Sequence, residues 1–275
     1  MSAASTSGLR HLLSLYAAMI RVELTIKAQY HVNTFIWLMG LLIEPVIYLS
    51  VWVNVAEAQG GSVQGYTPQD FAAYYLTFLV VRHFTIATSA YQLSARIRDG
   101  SMSTVLLRPV HPIHADFADI NIQKLLAIPA LMVIVILVSA LFQVRLNTEM
   151  WAVIAFPVVV FLAGMLRFIF QWTYTLIAFW MTRIEAPWGL YNLSQAFLGG
   201  ALAPLELLPA PLQVLSFALP FRWMFNFPVE LLIGKVSWNE LWNGILAQCL
   251  WIAVSLVALR LLWPAALKRY AAVGG

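Results

Sequence analysis

Gln123-Lys-Leu-Leu-Ala-Ile-Pro-Ala-Leu-Met-Val-Ile-Val-Ile-Leu-Val-Ser-Ala-Leu-Phe-Gln143 decides the fold class. Past Lys124 it carries no charge, and a helix needs about 20 mostly apolar residues to cross the hydrocarbon of a bilayer. Similar runs recur along the chain, and the sequence predicts six spans, at roughly 32–56, 70–95, 123–143, 150–181, 188–204 and 240–263. Composition agrees, with 61% hydrophobic and 10% charged residues in a chain of 275. Soluble domains carry about 25% charged residues, and this chain lacks the polar side chains to cover a soluble surface. The expectation is an all-α, polytopic membrane protein, a single domain over residues 1–275.

Tryptophans 52, 151, 180, 188, 238, 242 and 263 fall near the span ends, where interfacial anchoring places them. Lys and Arg fix the orientation. One side collects Arg10, Arg21, Lys27, Arg96, Arg98, Arg108, Lys124, Arg183, Arg260, Lys268 and Arg269; the other holds Arg145, Arg222 and Lys235. Both termini are therefore expected on the cytoplasmic side. The net charge of +4 does not signal a nucleic-acid binder, because the basic residues are scattered singly at the ends of apolar runs. The lone Cys249 excludes an intrachain disulfide. Arg10, Arg21, Glu23 and Lys27 interrupt the N-terminal stretch, which does not fit a cleaved signal peptide. Residues 9–28 instead read as a helix lying in the interface, with Leu12, Leu13, Tyr16, Met19 and Ile20 on one face. It suits a simple anchor or a docking element.

Two segments break the pattern of spans. The loop 96–122 contains Ile97-Arg-Asp-Gly-Ser-Met-Ser-Thr-Val-Leu-Leu-Arg-Pro109. Asp99 or Ser101 caps a short helix, Pro109 ends it, and Met102, Val105 and Leu106 share a face. One or two turns are barely stable alone in water, so that face seeks either a partner or its own bundle. The segment 204–233 is apolar but broken by prolines at 204, 209, 211, 220 and 228, which excludes a straight spanning helix. Short helices that dip into the outer leaflet and return fit both facts, whether as a lid or as an inert cap.

Three charges fall near the middle of expected spans: Glu44, Arg82 and Arg167. Such groups usually face the bundle interior and pair, and Glu44 with Arg82 is the preferred pair. No catalytic residue is assigned. His111 and His114 flank Pro112 without the helical H-E-x-x-H context of a zinc site, so no metal is expected. No G-x-x-x-x-G-K-[ST] stretch occurs, so ATP would have to be bound by another polypeptide.

An interfacial N-terminal helix, six spans, a short helix after the second and a broken apolar segment before the last resemble the type-2 ABC exporter permeases. The loop quoted above and Leu219-Pro-Phe-Arg-Trp-Met-Phe-Asn-Phe-Pro-Val-Glu-Leu-Leu-Ile-Gly234 are similar to a bacterial, uncharacterised subfamily of them. The resemblance implies a permease in the bacterial cytoplasmic membrane that docks a cytoplasmic ATPase, with ATP and Mg²⁺ on that partner and no cofactor in this chain. It implies a second permease subunit, a different chain in preference to a copy. Gly100, Ser101, Met102, Val105, Leu106, Leu107 and Arg108 would form the ATPase-coupling helix, and Glu206, Pro209, Pro220, Arg222 and Pro228 would belong to the outer gate. The rival reading is a secondary transporter or channel that uses Glu44, Arg82 and Arg167 without an ATPase. Inverted repeats would favour it, and none is evident.

Overall fold

A computed structural model describes Arg21 and residues 31–87, 89–144, 146, 148–181 and 183–270. The expected interfacial helix over 9–28 lies outside these, apart from Arg21. Among the described residues the fold is helical, with one isolated antiparallel bridge between Val63 and Tyr66.

Helix α1 (His31–Ala58) contains Pro45, which leaves a carbonyl one turn earlier without its helical partner. A tight turn leads to Thr67 and Asp70, whose reciprocal capping box opens α2 (Pro68–Thr85) with proline in its first turn. The chain bends at Ile86–Ala87 and continues as α3 (Ser89–Arg98) and the short α4 (Met102–Leu106). The long α5 (Pro112–Phe142) and α6 (Met150–Thr175) follow, the latter extended by a 3-10 turn to Phe179. Beyond α7 (Glu185–Leu198), three short helices fill the proline-broken segment: α8 (Ala210–Ala218), α9 (Pro220–Met224) and α10 (Asn226–Leu232). A second capping box, Ser237 with Glu240, starts α11 (Trp238–Arg269).

The all-α class stands, but the structure overturns the six spans. Among the described residues three helices are long and apolar enough to cross a membrane: Pro112–Phe142, Met150–Phe179 and Trp238–Arg269. A shorter apolar helix, Pro45–Ala58, accompanies them. Over the expected span 32–56 the helix runs unbroken from His31 to Ala58, and its described apolar stretch is Pro45–Ala58. The expected span 70–95 is cut at Thr85, and its first half carries Asp70, Arg82 and His83. The expected span 188–204 stops at Leu198, because Gly199 ends the helix and Gly200 takes a left-handed φ of +80°. Hydropathy windows count apolar residues without seeing where the backbone turns, and here it turns inside two of them.

Neighbouring side chains hold the chain at both breaks. Gln171 of α6 donates to the Ala87 carbonyl at 2.5 Å, and Arg167 donates to the Thr85 hydroxyl at 3.3 Å. After α7, Tyr74 donates to the Gly200 carbonyl at 2.7 Å, while Trp52 and Tyr75 donate to Leu202 at 2.8 and 2.9 Å. Irregular backbone at membrane depth survives only under such cover. Helix α11 packs along α6 and α1 along α2, around a core holding the fully buried Trp172, Tyr74, Tyr75, Phe71 and Phe225. Leu141, Ile154 and Leu261 project outward from the long helices, the surface that lipid covers.

Candidate functional site

The elbow between α3 and α5 is built from its turn outward. Asp99 accepts from the Ser101 backbone N–H at 2.9 Å, and the hydrogen bonds from Ser101 hold its carboxyl below the usual carboxylate range. Gly100 has φ +76°, a conformation that a residue with a side chain adopts only under strain. Its carbonyl accepts from Ser103 at 2.6 Å and from the Tyr270 hydroxyl at 3.1 Å, which ties the elbow to the residue just after α11. Tyr270 stands edge-on to Phe179, with ring centroids 6.0 Å apart.

Helix α4 turns one face inward. Met102 is 0% exposed and shares a cluster with Leu93, Trp172, Phe179 and Ala266. Val105 and Leu106 are half-buried against that cluster. What α4 presents to the outside is Ser101, Thr104, Leu107 and Arg108, with Leu107 85% exposed. Of the coupling residues read from the sequence, Met102 therefore serves as an internal anchor, and Leu107 and Arg108 form the tip.

The elbow is also tied to the long helices by a polar relay that the sequence did not reveal. Arg96 of α3 pairs with Asp116 of α5 at 2.8 Å, and the Asp116 side chain is almost wholly buried. The other Asp116 oxygen accepts from the Trp172 indole at 3.0 Å. Trp172 packs on Trp263 of α11, with centroids 5.4 Å apart, and His111 contacts both rings. His111 caps α5 by accepting from the Ile113 N–H at 3.3 Å, and burial lowers its pKa. It has a structural place, and the described residues contain no group of three His, Cys, Asp or Glu able to hold a metal.

The three charges that the sequence places near mid-span lie on three different helices, α1, α2 and α6. Glu44 lies in α1 and its side chain is outside the described residues, so the expected Glu44–Arg82 pair is too. Arg82 is half-buried, one turn before the break in α2. Arg167 is buried beside that break, 3.3 Å from Gln195 of α7, with its guanidinium 4.6 Å from the centre of the Phe225 ring. It thus joins α2, α6, α7 and the start of α10.

At the opposite end, the segment 204–237 is locked by two charge pairs. Glu206 accepts from Lys235 at 2.5 Å and from the Tyr66 hydroxyl at 2.8 Å, and the Lys235 ammonium lies 3.7 Å from the Tyr66 ring centre. Arg222 pairs with Glu230 at 2.7 Å in a far more buried site, and its guanidinium stacks 3.8 Å from the Phe217 ring centre. In the orientation that satisfies both neighbours, the Asn226 amide nitrogen donates to Glu230 at 2.7 Å. Pro209 precedes α8, Pro220 opens α9 and Pro228 sits in α10, so the prolines set where each short helix starts or bends. Sequence reading found Glu206 and Arg222 but missed their partners Lys235 and Glu230. Opposite charges within one proline-broken segment were the available signal.

Among the described residues, neither end brings together a nucleophile and a base. The arrangement offers an exposed tip on a braced elbow, a bundle with buried cations and a locked cap. A profile of the family described as ABC-2 family transporter protein matches residues 42–274, nearly the whole described chain. Among curated proteins, none matches the sequence. The match covers far more than half of the chain, and the protein belongs to the ABC-2 family of membrane transporters.

Proposed function

We propose that this chain is the permease subunit of an ATP-driven exporter and docks a separate ATPase through the tip of the α3–α4 elbow. The supporting observation is the split on α4, where Met102 is clamped in the core while Leu107 stands out. A large apolar side chain held in the open beside Arg108 and Pro109 supports a docking role, and the buried Met102 gives it a stiff base. As a member of a transporter family, the chain is not an enzyme by itself. ATP and Mg²⁺ act on the partner, because no phosphate-binding loop occurs in this sequence.

Arg96, Arg98 and Arg108 support a cytoplasmic elbow, while cytoplasmic termini and a bacterial inner-membrane location rest on the resemblance to exporter permeases. A second permease subunit completes the path, a related chain in preference to a copy. Arg96, Asp116 and Trp172 give the elbow a rigid connection to α5 and α6, so a push on the tip reaches the long helices. ATP binding must then favour one of two bundle states, with the coupling energy passing through the docking contact. The segment 204–233 acts as the outer gate, its charge pairs, one of them with Lys235 just beyond it, closing the path until the bundle moves. A transporter that used Glu44, Arg82 and Arg167 alone would need no such tip.

Affinity purification of the tagged full-length chain from its native membrane tests this. Recovery of an ATP-binding-cassette protein is expected, with recovery lost in Leu107→Asp at unchanged permease yield. Solute movement by the permease alone in vesicles, independent of ATP, would refute the reading.

A further inference from the structure

Helices α5 and α6 both lean on α2, and between them a groove of about 410 Å³ opens toward the lipid, backed by Phe84 of α2. Its walls are apolar: Leu125 and Ile128 on one side, Phe156, Val160 and Phe161 on the other. Volumes of this size hold drug-sized or single-chain ligands. The apolar run of α5 is only 11% buried within the protein, so the groove faces the bilayer and not a packed interior.

One cation lines this groove. Lys124 is 7% exposed, and among the described residues no carboxylate pairs with it. The nearby acids on α5 are engaged elsewhere, Asp116 with Arg96 and Trp172, and Asp119 with Gln92. Asn121 ties its amide nitrogen back to the Phe117 carbonyl at 2.7 Å, which leaves Lys124 as the charge a ligand meets. The uncharged run Leu125–Phe142 begins directly after it and is close to the length that fills the hydrocarbon. Lys124 therefore stands at the boundary between hydrocarbon and headgroups, on the elbow side. Because α6 returns antiparallel to α5, a chain leaving Lys124 passes Ile128, then Val160 and Phe161, then Phe156.

We propose that this groove binds one anionic phospholipid of the leaflet on the elbow side, its phosphate against Lys124 and an acyl chain along Ile128, Val160 and Phe156. Basic pockets between spanning helices at headgroup level recognise such lipids, and a phosphate beside a lysine forms a charge-assisted hydrogen bond. The inference concerns the permease alone and does not depend on an ATPase.

The test uses the purified full-length chain in phosphatidylcholine nanodiscs doped with phosphatidylglycerol, with co-retained lipid counted by native mass spectrometry. Wild type is expected to retain phosphatidylglycerol roughly fivefold above its share of the disc. Lys124→Gln should bring retention to parity, and Lys124→Arg should preserve it. Ile128→Trp, which obstructs the tail path and leaves the charge in place, should also lower retention and decides the matter if Lys124→Gln does not fold. Undiminished retention in Lys124→Gln, equal retention of phosphatidylcholine, or displacement of phosphatidylglycerol by oleate as the preferred occupant would each overturn the assignment.

Discussion

The elbow at 96–109 and the proline-broken segment at 204–237 are both short helices joined at sharp bends, yet they are held by opposite means. The elbow rests on the buried Met102, a glycine carbonyl clamped by Ser103 and Tyr270, and the Arg96–Asp116 ion pair to α5. Its tip is left in the open. The other segment has its polar groups turned on one another, with Arg222, Glu230 and Asn226 buried together and Glu206 bridged to Lys235 and Tyr66. An exposed tip on a firm anchor suits contact with a partner; a self-satisfied polar network suits closure.

If that contrast is right, the heaviest loss comes from breaking the buried outer pair. Arg222→Ala should cost about 3–5 kcal/mol, because it leaves Glu230, whose pKa burial already pushes up to about 7, buried without its cationic partner. Thermal denaturation in detergent measures it, and the double change Arg222→Met with Glu230→Leu should recover most of the loss. At the elbow, Met102→Asp should destabilise by about 3 kcal/mol, since it puts an unpaired charge into the Trp172 cluster. Leu107→Asp, five residues on, should stay within about 0.5 kcal/mol of wild type while abolishing ATPase recovery. If these two neighbours gave equal stability losses, the division of α4 into anchor and tip would fail. Lys235→Ala removes a pair that solvent already reaches and should cost no more than about 1 kcal/mol.

The smallest effect is a pH dependence at His111. Burial foremost, with the charge of His114 second, lowers its pKa below the ordinary value of about 6.5. Below that pH the unfolded chain takes up a proton that the folded chain resists, so this histidine makes stability fall as pH drops. Melting curves of His111→Asn should show a shallower decline between neutral pH and pH 5 than wild type, and an identical slope would remove His111 from the account.

The helical class and the three long spans were legible because α5, α6 and α11 are unbroken apolar runs with tryptophan or proline near their ends. The break after Thr85 was not, since Ile86 and Ala87 carry no helix-breaking signal. Gln171, far along the chain, satisfies the open Ala87 carbonyl there while Arg167 holds the Thr85 hydroxyl, and a local window cannot see them. Gly199 and Gly200 were visible, but a glycine pair inside an apolar run reads as a tolerated interruption until Tyr74 is known to meet the Gly200 carbonyl. At the elbow the shared face of Met102, Val105 and Leu106 was readable from helical spacing. Which body that face meets was not, because periodicity identifies a face without identifying its neighbour. The Arg96–Asp116–Trp172 relay joins three elements and leaves no mark at any fixed spacing.

Photo-crosslinking in native membranes tests the central claim most directly, with a benzophenone side chain placed at position 107 on the elbow tip or at position 214 on α8, both strongly exposed. Adducts to an ATP-binding-cassette protein are expected from position 107 and absent from position 214. Adducts of that protein from position 214, or their absence from position 107 in a complex known to contain it, would contradict the assignment of the elbow as the docking site.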